Sequence, residues 1–151
     1  MLQDDEKRIL WAVQRDATLS ARDLAERLNL STSTVWRRMK EMEDAGVITG
    51  RVVVANPDKL GLSVCLIVNV NIVKQTSDTR KAFEDFVLRH AYILQCYAVT
   101  GGHDYMLVVR ARSVEEFERV LMDEILSHPS VATTRTQLVL QQKKNTTALP
   151  L

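Results

Sequence analysis

The clearest pattern in the chain lies at residues 31–46, where apolar and polar positions recur with the spacing of an α-helix. One side of a helical wheel is apolar and predicts a buried face, formed by Val35, Met39 and Met42. Ser31 is a good N-cap residue, and Gly46 stands where a left-handed residue after a helix belongs. The pattern therefore predicts a short amphipathic helix whose two ends are both specified locally.

The other side of this helix carries hydroxyl groups and cations, with no acidic residue before position 41. Hydroxyls and helix N-terminal amides can bind phosphate, and arginine can bind a guanine edge with two hydrogen bonds. We expect Arg37 to contact base edges, Lys40 a phosphate, and Arg38 a phosphate with its stem packed. The alternative to DNA binding is that this basic face contacts only solvent, as on an ordinary surface helix. The candidate DNA-contacting residues are Ser31, Thr32, Ser33, Thr34, Trp36, Arg37, Arg38 and Lys40.

Two shorter amphipathic segments precede the basic helix. Residues 4–16 have the apolar spacing of a helix, with acidic residues in the first turn, where the helix dipole favours negative charge. Ser20 and Asp23 have the spacing of a capping box and predict a helix over 20–28. A tight turn at 29–30 then leads into the basic helix. This order predicts a helix-turn-helix unit, although it also fits helical hairpins that do not bind DNA.

The second half of the chain predicts an α+β domain. The expected elements are strands at 62–73, 93–100, 104–112 and 131–142, and helices at 78–90 and 113–127. This βαββαβ order is that of a ferredoxin-like domain with one sheet face uncovered, which predicts dimerisation through the sheets. A strand is also expected at 47–54, before a connector rich in turn residues. We therefore place the first domain at 1–55 and the second, for ligand response and oligomerisation, at 56–151.

Charge and composition narrow the classes of function. The net charge is only +1, and residues 1–51 hold nine basic and nine acidic side chains. Affinity for DNA must therefore come from local arrangement, with +3 concentrated at Arg37, Arg38 and Lys40. Two cysteines in strand-like runs and the absence of a leader or a long apolar run predict a cytoplasmic protein with no membrane contact. The histidines and cysteines share no ligand spacing, so no metal site is expected.

A glycine-containing loop between two predicted strands is the candidate ligand site. Gly101 and Gly102 could present backbone amides to an anion, while Asp104 could bind an ammonium group and Tyr105 offers a hydroxyl. These groups match a free amino acid, and the threonines Thr134 and Thr136 could line the same pocket. The alternative is a plain hairpin loop in which Asp104 bonds its own backbone and Tyr105 packs in the core. The threonines would then be ordinary strand formers.

Taken together, the chain resembles the Lrp/AsnC family of transcription regulators, also called feast/famine regulatory proteins, over nearly its whole length. The matching positions are Asp5, Ile9, Leu10, Leu24, Ala25, Leu30, Ser31, Val35, Arg37, Arg38, Glu43, Gly46, Val47, Ile48, Leu60, Gly61, Leu62, Thr100, Gly101, Asp104, Tyr105, Thr134, Thr136, Thr147, Leu149, Pro150 and Leu151. The resemblance implies an N-terminal winged helix-turn-helix and a C-terminal ligand-responsive domain. It also implies homodimers that commonly assemble into octamers, with an amino-acid effector bound between dimers near residues 101–105. His103 departs from the small or acidic residue that many relatives carry there.

Three functions are therefore weighed. The first is a regulator that binds double-stranded DNA and responds to an amino acid, without catalytic residues or another cofactor. The second is an enzyme similar to siroheme decarboxylase, which has the same two-domain architecture and in which His103 would contact a tetrapyrrole. The third is a constitutive DNA-organising protein without an effector. The intact hydroxyl and arginine face of the helix at 31–45 favours the first, because an enzyme has no need of it.

Overall fold

The computed structural model describes residues 2–151, which form two compact units. One unit contains the residues up to Val54 and also the C-terminal tail, Lys144–Leu151, and the other is Ala55–Lys143. The sequence-based division at 1–55 and 56–151 places the tail in the second domain, whereas in the structure the tail packs with the helical unit.

The first unit contains three helices: α1 (Asp4–Val13), α2 (Ala21–Leu28) and α3 (Thr32–Asp44). Their buried side chains come from the apolar positions that the helical spacing identified, namely Ile9, Leu24, Ala25, Val35 and Met42. Burying this common core drives the packing of the three helices, because none of them is long enough to be stable alone. The predicted helix-turn-helix arrangement is confirmed.

The ends of α3 are held by the two predicted caps. The Ser31 Oγ accepts a hydrogen bond from the Thr34 backbone amide at 3.1 Å. At the other end Gly46 has φ of +69°, and the Val47 amide donates to the Met42 carbonyl at 2.8 Å. Local sequence thus determines where this helix starts and stops.

The strand predicted at 47–54 is wrong. Within the described part of the chain, residues 49–56 pair with no other strand, and Val52, Val53 and Val54 are 82%, 96% and 79% exposed. The β-branched run has the side chains of a strand, but a strand also needs a neighbour to accept its hydrogen bonds. The segment is an extended connector in this single chain.

The C-terminal tail packs against α1. The Gln14 side-chain amide donates to the Leu149 carbonyl at 3.3 Å, and the Leu149 amide donates to Gln14 Oε1 at 2.7 Å. Leu151 lies in a small groove with Trp11 and Leu28. Both backbone hydrogen-bonding groups of one tail residue are therefore satisfied by one side chain of the first unit.

The second unit is a four-stranded antiparallel sheet with helices on one face. Its elements are β1 (Val64–Ile72), α4 (Ser77–Arg89), β2 (Ile93–Ala98), β3 (Tyr105–Ala111), α5 (Val114–Arg119), a π-helical turn (Val120–Ile125) and β4 (Val131–Leu138). The strand order is β2-β3-β1-β4, so β1 and β3 are central. This is the predicted βαββαβ arrangement, and it is confirmed.

The covered face of the sheet forms the larger core. Alternate residues of β1 and β3, among them Val68, Val70 and Leu107, pack against Phe83 of α4 and Phe117 of α5. The other face carries the intervening residues, which do not belong to that core. It is mixed in character, with Ile67, Met106 and Val108 beside Asn69, Arg110 and Arg135.

Two further observations concern the described residues, 2–151. No helix there is long and apolar enough to cross a membrane, and no group of three histidine, cysteine or carboxylate side chains is placed to hold a metal ion. Cys65 and Cys96 are free thiols, the first buried and the second half-buried.

Candidate nucleic-acid interface and ligand site

The N-terminal half of α3 presents a polar surface. Thr32 and Ser33 are exposed, and Ser31, which caps the helix, also contacts the Thr34 hydroxyl at 2.7 Å. Trp36 is 65% exposed, an unusual position for so large an apolar side chain. Except for Thr34, which is half-buried, these predicted residues are available to a ligand.

The two exposed cations of α3 are each paired with a carboxylate one turn later. Arg37 Nη1 lies 2.8 Å from Glu41 Oε1, and Lys40 Nζ lies 2.8 Å from Asp44 Oδ1. The hydrogen bond from Arg37 lowers the pKa of Glu41, and the one to Asp44 raises the pKa of Lys40. The predicted concentration of positive charge is therefore offset locally. Both carboxylates stand four residues after their cations, a spacing that can be recognised in the sequence.

Arg38 is placed differently from its neighbours. Its side chain is 19% exposed, and Nη1 lies 3.4 Å from Glu6 Oε1 on α1 and 3.0 Å from Glu41 Oε2. Nη2 donates to Gln3 Oε1, just before α1. Arg38 thus ties α3 to the start of α1, and its guanidinium group does not lie on the exposed face with Arg37.

Arg51 is a cation that sequence reasoning missed. It follows α3 in the connector, and its Nη2 lies 3.2 Å from Glu43 Oε1. Together with Trp36 and Lys40 it lines a pocket beside α3. No local motif marks this residue, because its place depends on how the connector leaves the helix.

The loop between β2 and β3 is a hairpin with an open glycine tip. Gly101 has φ of +111°, which L-residues rarely adopt, and a Cβ atom there would meet nothing within 4 Å. Gly101 and Gly102 are exposed and His103 is half-buried. The Val99 amide donates to the Asp104 carbonyl at 3.0 Å and closes the hairpin. The glycine tip is therefore exposed and not crowded by other protein atoms.

Asp104 and Tyr105 are engaged within the protein. The carboxylate of Asp104 accepts from the Ile72 amide at 2.9 Å and from Gln75 Nε2 at 2.5 Å. Tyr105 is 2% exposed, and its hydroxyl donates to Glu84 Oε1 at 2.7 Å. Burial and the nearby Glu84 raise the pKa of Tyr105 well above its usual range. These two side chains hold the loop onto β1 and α4. Tyr105 packs in the core, as in the alternative interpretation of the sequence, but the Asp104 carboxylate binds Ile72 and Gln75 and not its own backbone.

The two predicted threonines lie on the edge strand. Thr134 pairs with Val70 and Thr136 with Val68, so both hydroxyls share the face that α4 and α5 partly cover. Thr134 is half-buried and Thr136 exposed. Val70 also pairs with Tyr105 on its other side, which puts Thr134 about 10 Å from the start of β3 across two strand spacings. The predicted ligand residues therefore form two groups, separated by β1.

Comparison with known proteins identifies the two units. Residues 6–49 match the family model for a winged helix-turn-helix DNA-binding domain, and residues 65–149 match the Lrp/AsnC ligand binding domain. The chain belongs to the Lrp/AsnC family of transcriptional regulators. The predicted family and fold class are confirmed.

Relatives within the Lrp/AsnC family cover almost the whole chain. The proline dehydrogenase transcriptional activator of Rhizobium radiobacter is 36% identical over 143 residues, which cover 92% of this chain and 89% of that protein. The transcriptional regulator AzlB of Bacillus subtilis is 28% identical over 151 residues, or 100% of this chain and 96% of AzlB.

Solved Lrp/AsnC structures have the same fold. A transcriptional regulator of Neisseria meningitidis, determined as a complex with L-Met, superposes with a TM-score of 0.95 at 31% identity, covering 99% of this chain and 97% of its own. AsnC of E. coli superposes with a TM-score of 0.91 at 25% identity and covers 99% of both chains.

Proposed function

We propose that this Lrp/AsnC regulator binds specific DNA sequences through α3 and that an amino acid modulates its DNA binding or its assembly. The observation that carries the proposal is the exposed N-terminal half of α3, where the hydroxyls of Thr32 and Ser33 and the side chain of Arg37 face solvent. Such a surface fits the major groove, which admits a helix and displays a distinct pattern of donors and acceptors for each base pair.

Each α3 side chain has a distinct proposed role. Arg37 contacts base edges, because it is exposed and lies opposite the buried stripe, whereas Lys40, further along the helix, contacts a phosphate. Hydroxyls at the helix N-terminus bind phosphate, and Trp36 packs against the DNA backbone. Arg38 contributes indirectly by fixing α3 against α1, since its guanidinium group is already bonded to Gln3, Glu6 and Glu41.

Selection from random DNA tests this assignment. The wild-type chain should enrich a defined sequence from a random duplex pool, and Arg37→Ala should cost about 1–3 kcal/mol at that sequence and relax the preference. Lys40→Ala is the matched variant. It should weaken binding to every duplex alike and reduce the slope of log affinity against log salt by about one. Equal loss of specificity from both substitutions would contradict the division of roles.

The amino acid is proposed to bind at the tip of the β2–β3 hairpin. The relative from Neisseria meningitidis was solved with L-Met, which supports an amino acid as the class of effector. The exposed amides of Gly101 and Gly102 would hold the carboxylate, with His103 beside them. Asp104, which keeps free lone pairs besides its two bonds, or the oxygens of Thr134 and Thr136 would hold the ammonium group. Tyr105 would support the loop from below.

Calorimetry with the twenty amino acids separates this proposal from the two alternatives. A saturable heat with one or a few of them supports the effector. No heat from any of them, with DNA binding intact, favours a constitutive DNA-organising protein. Siroheme added to the purified protein gives no shifted absorbance band if the chain is a regulator and not an enzyme, and a shifted band would favour the decarboxylase-like function.

The assembly is proposed to be a homodimer formed through the uncovered sheet face, which further associates, with an octamer as the family arrangement. The apolar patch at Ile67, Met106 and Val108 supports this, because it lies outside the core of the single chain. Val108→Glu would place a charge in the middle of the patch. Sedimentation of the full chain should then show a monomer where the wild type is oligomeric, whereas an unchanged assembly would locate the interface elsewhere.

A further inference from the structure

One carboxylate of α3 bridges two guanidinium groups that have different surroundings. Glu41 Oε1 lies 2.8 Å from Nη1 of Arg37, and Oε2 lies 3.0 Å from Nη1 of Arg38. Both oxygens of this single side chain are thus used by arginines, one exposed and one largely buried. Charge-assisted bonds of this length are among the stronger hydrogen bonds in proteins and fix the direction of the groups that make them.

The buried end of this bridge is anchored on another helix. Arg38 is held by Glu6 of α1, whose side chain is 12% exposed, and by Gln3 just before it. The contacts therefore run continuously from α1 through Arg38 and Glu41 to Arg37. A free arginine has many rotamers, and fixing it in one costs free energy whenever it binds. Glu41 holds the Arg37 side chain in one conformation before DNA binds.

The same carboxylate opposes non-specific binding. A phosphate that approached Arg37 would meet the charge of Glu41 next to it, so a contact to phosphate alone must replace an existing ion pair. A guanine edge is uncharged, and it can use the remaining N–H groups of a guanidinium that keeps its bond to Glu41. The arrangement penalises phosphate contacts more than base contacts.

We propose, on the basis of the DNA-binding function proposed above, that Glu41 is a positioning residue that determines specificity. It holds Arg37 in the orientation that contacts bases and lowers the affinity of α3 for DNA of arbitrary sequence. Lys40 and Asp44 form the natural comparison, because that pair has the same i,i+4 spacing and the same 2.8 Å distance but no third charged partner among residues 2–151. Asp44 therefore neutralises the charge of Lys40, but it does not connect Lys40 to a second helix as Glu41 connects Arg37.

Three variants of the full chain test the proposal against two 30-base-pair duplexes, one with the sequence that wild type enriches and one scrambled. Glu41→Gln should raise affinity for the scrambled duplex and reduce the ratio between the two duplexes about tenfold, with a salt slope steeper by about one. Glu41→Asp keeps the charge but is one methylene too short to reach both arginines. It should reduce the ratio similarly and leave the salt slope unchanged. Asp44→Asn should raise affinity for both duplexes by the same factor.

The outcomes are separable. If Glu41→Asp behaves as wild type while Glu41→Gln matches Asp44→Asn, the carboxylate acts only through its charge and the positioning role is wrong. Thermal melting of each variant checks folding, and Glu41→Asp provides the test if Glu41→Gln is destabilised. A wild-type chain that enriches no sequence overturns the proposed function and this inference together. Enrichment by wild type with an unaltered ratio in both Glu41 variants overturns this inference alone.

Discussion

The hydroxyl of Tyr105 donates a hydrogen bond to Glu84 across the interface between β3 and α4, at 2.7 Å. The tyrosine ring is buried and contacts Phe83 in a tilted arrangement with ring centroids 4.9 Å apart, whereas Glu84 reaches the surface. Tyr105, the first residue after the β2–β3 loop, is therefore held from the helix side of the sheet.

Tyr105→Phe should reduce stability without affecting ligand binding. The substitution removes one hydrogen bond and keeps the ring, so we expect a loss of about 0.5–1.5 kcal/mol in the free energy of unfolding, measured with urea. Amino-acid affinity by calorimetry should stay within twofold of wild type. Glu84→Gln, which keeps an acceptor for the hydroxyl, is the control and should cost less. A large loss of affinity in Tyr105→Phe would mean that the hydroxyl contacts the ligand.

Arg38→Ala should destabilise the first unit. It leaves the carboxylate of Glu6, which is 12% exposed, without its cation, and this should cost about 1–3 kcal/mol. Arg22→Ala is the comparison, because its pair with Glu26 is 83% and 69% exposed and should contribute less than about 1 kcal/mol. Thermal unfolding measures both. Similar midpoints for the two variants would show that the link between α1 and α3 adds no stability.

Gly101→Val should abolish the response to the amino acid. Its backbone has φ of +111°, so a β-branched residue is strained there by about 1–3 kcal/mol, although its Cβ meets no protein atom within 4 Å. Gly61→Val has the same kind of strain at φ of +75° and equally open surroundings, but it lies in the connector. Both variants should lose stability, and only Gly101→Val should lose ligand affinity in calorimetry. Basal DNA binding should persist in both. Undiminished affinity would place the pocket away from this loop.

Acid should weaken the second unit through His128. Burial lowers the pKa of this histidine below its usual value of about 6.5. Its Nδ1 also accepts a hydrogen bond from the Ser130 amide at 3.2 Å, which a proton on Nδ1 would exclude. Since the unfolded chain takes up the proton more readily, this stability is complete above about pH 6.5 and is lost as the pH falls towards the lower folded pKa.

The matched variant for this acid effect is His128→Asn, which keeps a side-chain acceptor and does not titrate. Urea unfolding at pH 7.5 and pH 5.0 should show a smaller loss of stability on acidification in the variant than in wild type. An identical loss in the two proteins would assign the acid sensitivity to other groups.

Features that depend on near neighbours in the chain were predictable. Ser31 and Gly46 define the ends of α3, and periodicity gives the order of the strands and helices in the second unit. The pairing of Arg37 with Glu41 also follows from spacing, once the helix is considered beyond residue 40. The prediction of a strand at 47–54 is wrong because a run of β-branched residues favours extended backbone but does not provide a neighbouring strand to pair with.

Features that depend on distant segments were not predictable. Arg38 meets Gln3 and Glu6 only because α1 and α3 cross near those residues, more than thirty positions apart in the chain. Asp104 similarly meets Gln75, which lies 29 positions earlier. The sequence identifies such residues as polar and placed near a loop, but tertiary packing decides whether they are free for a ligand.

The hydrogen bonds between Gln14 and Leu149 have a consequence for limited proteolysis. The chain leaves the helical unit through the exposed connector, and its last residues return to that unit. A tryptic cut after Lys59, which is exposed, would divide the chain into two fragments. The two fragments should stay associated, because the tail of the larger one remains bound to α1 of the smaller one. The nicked protein should therefore elute as one species under native conditions and split only in denaturant.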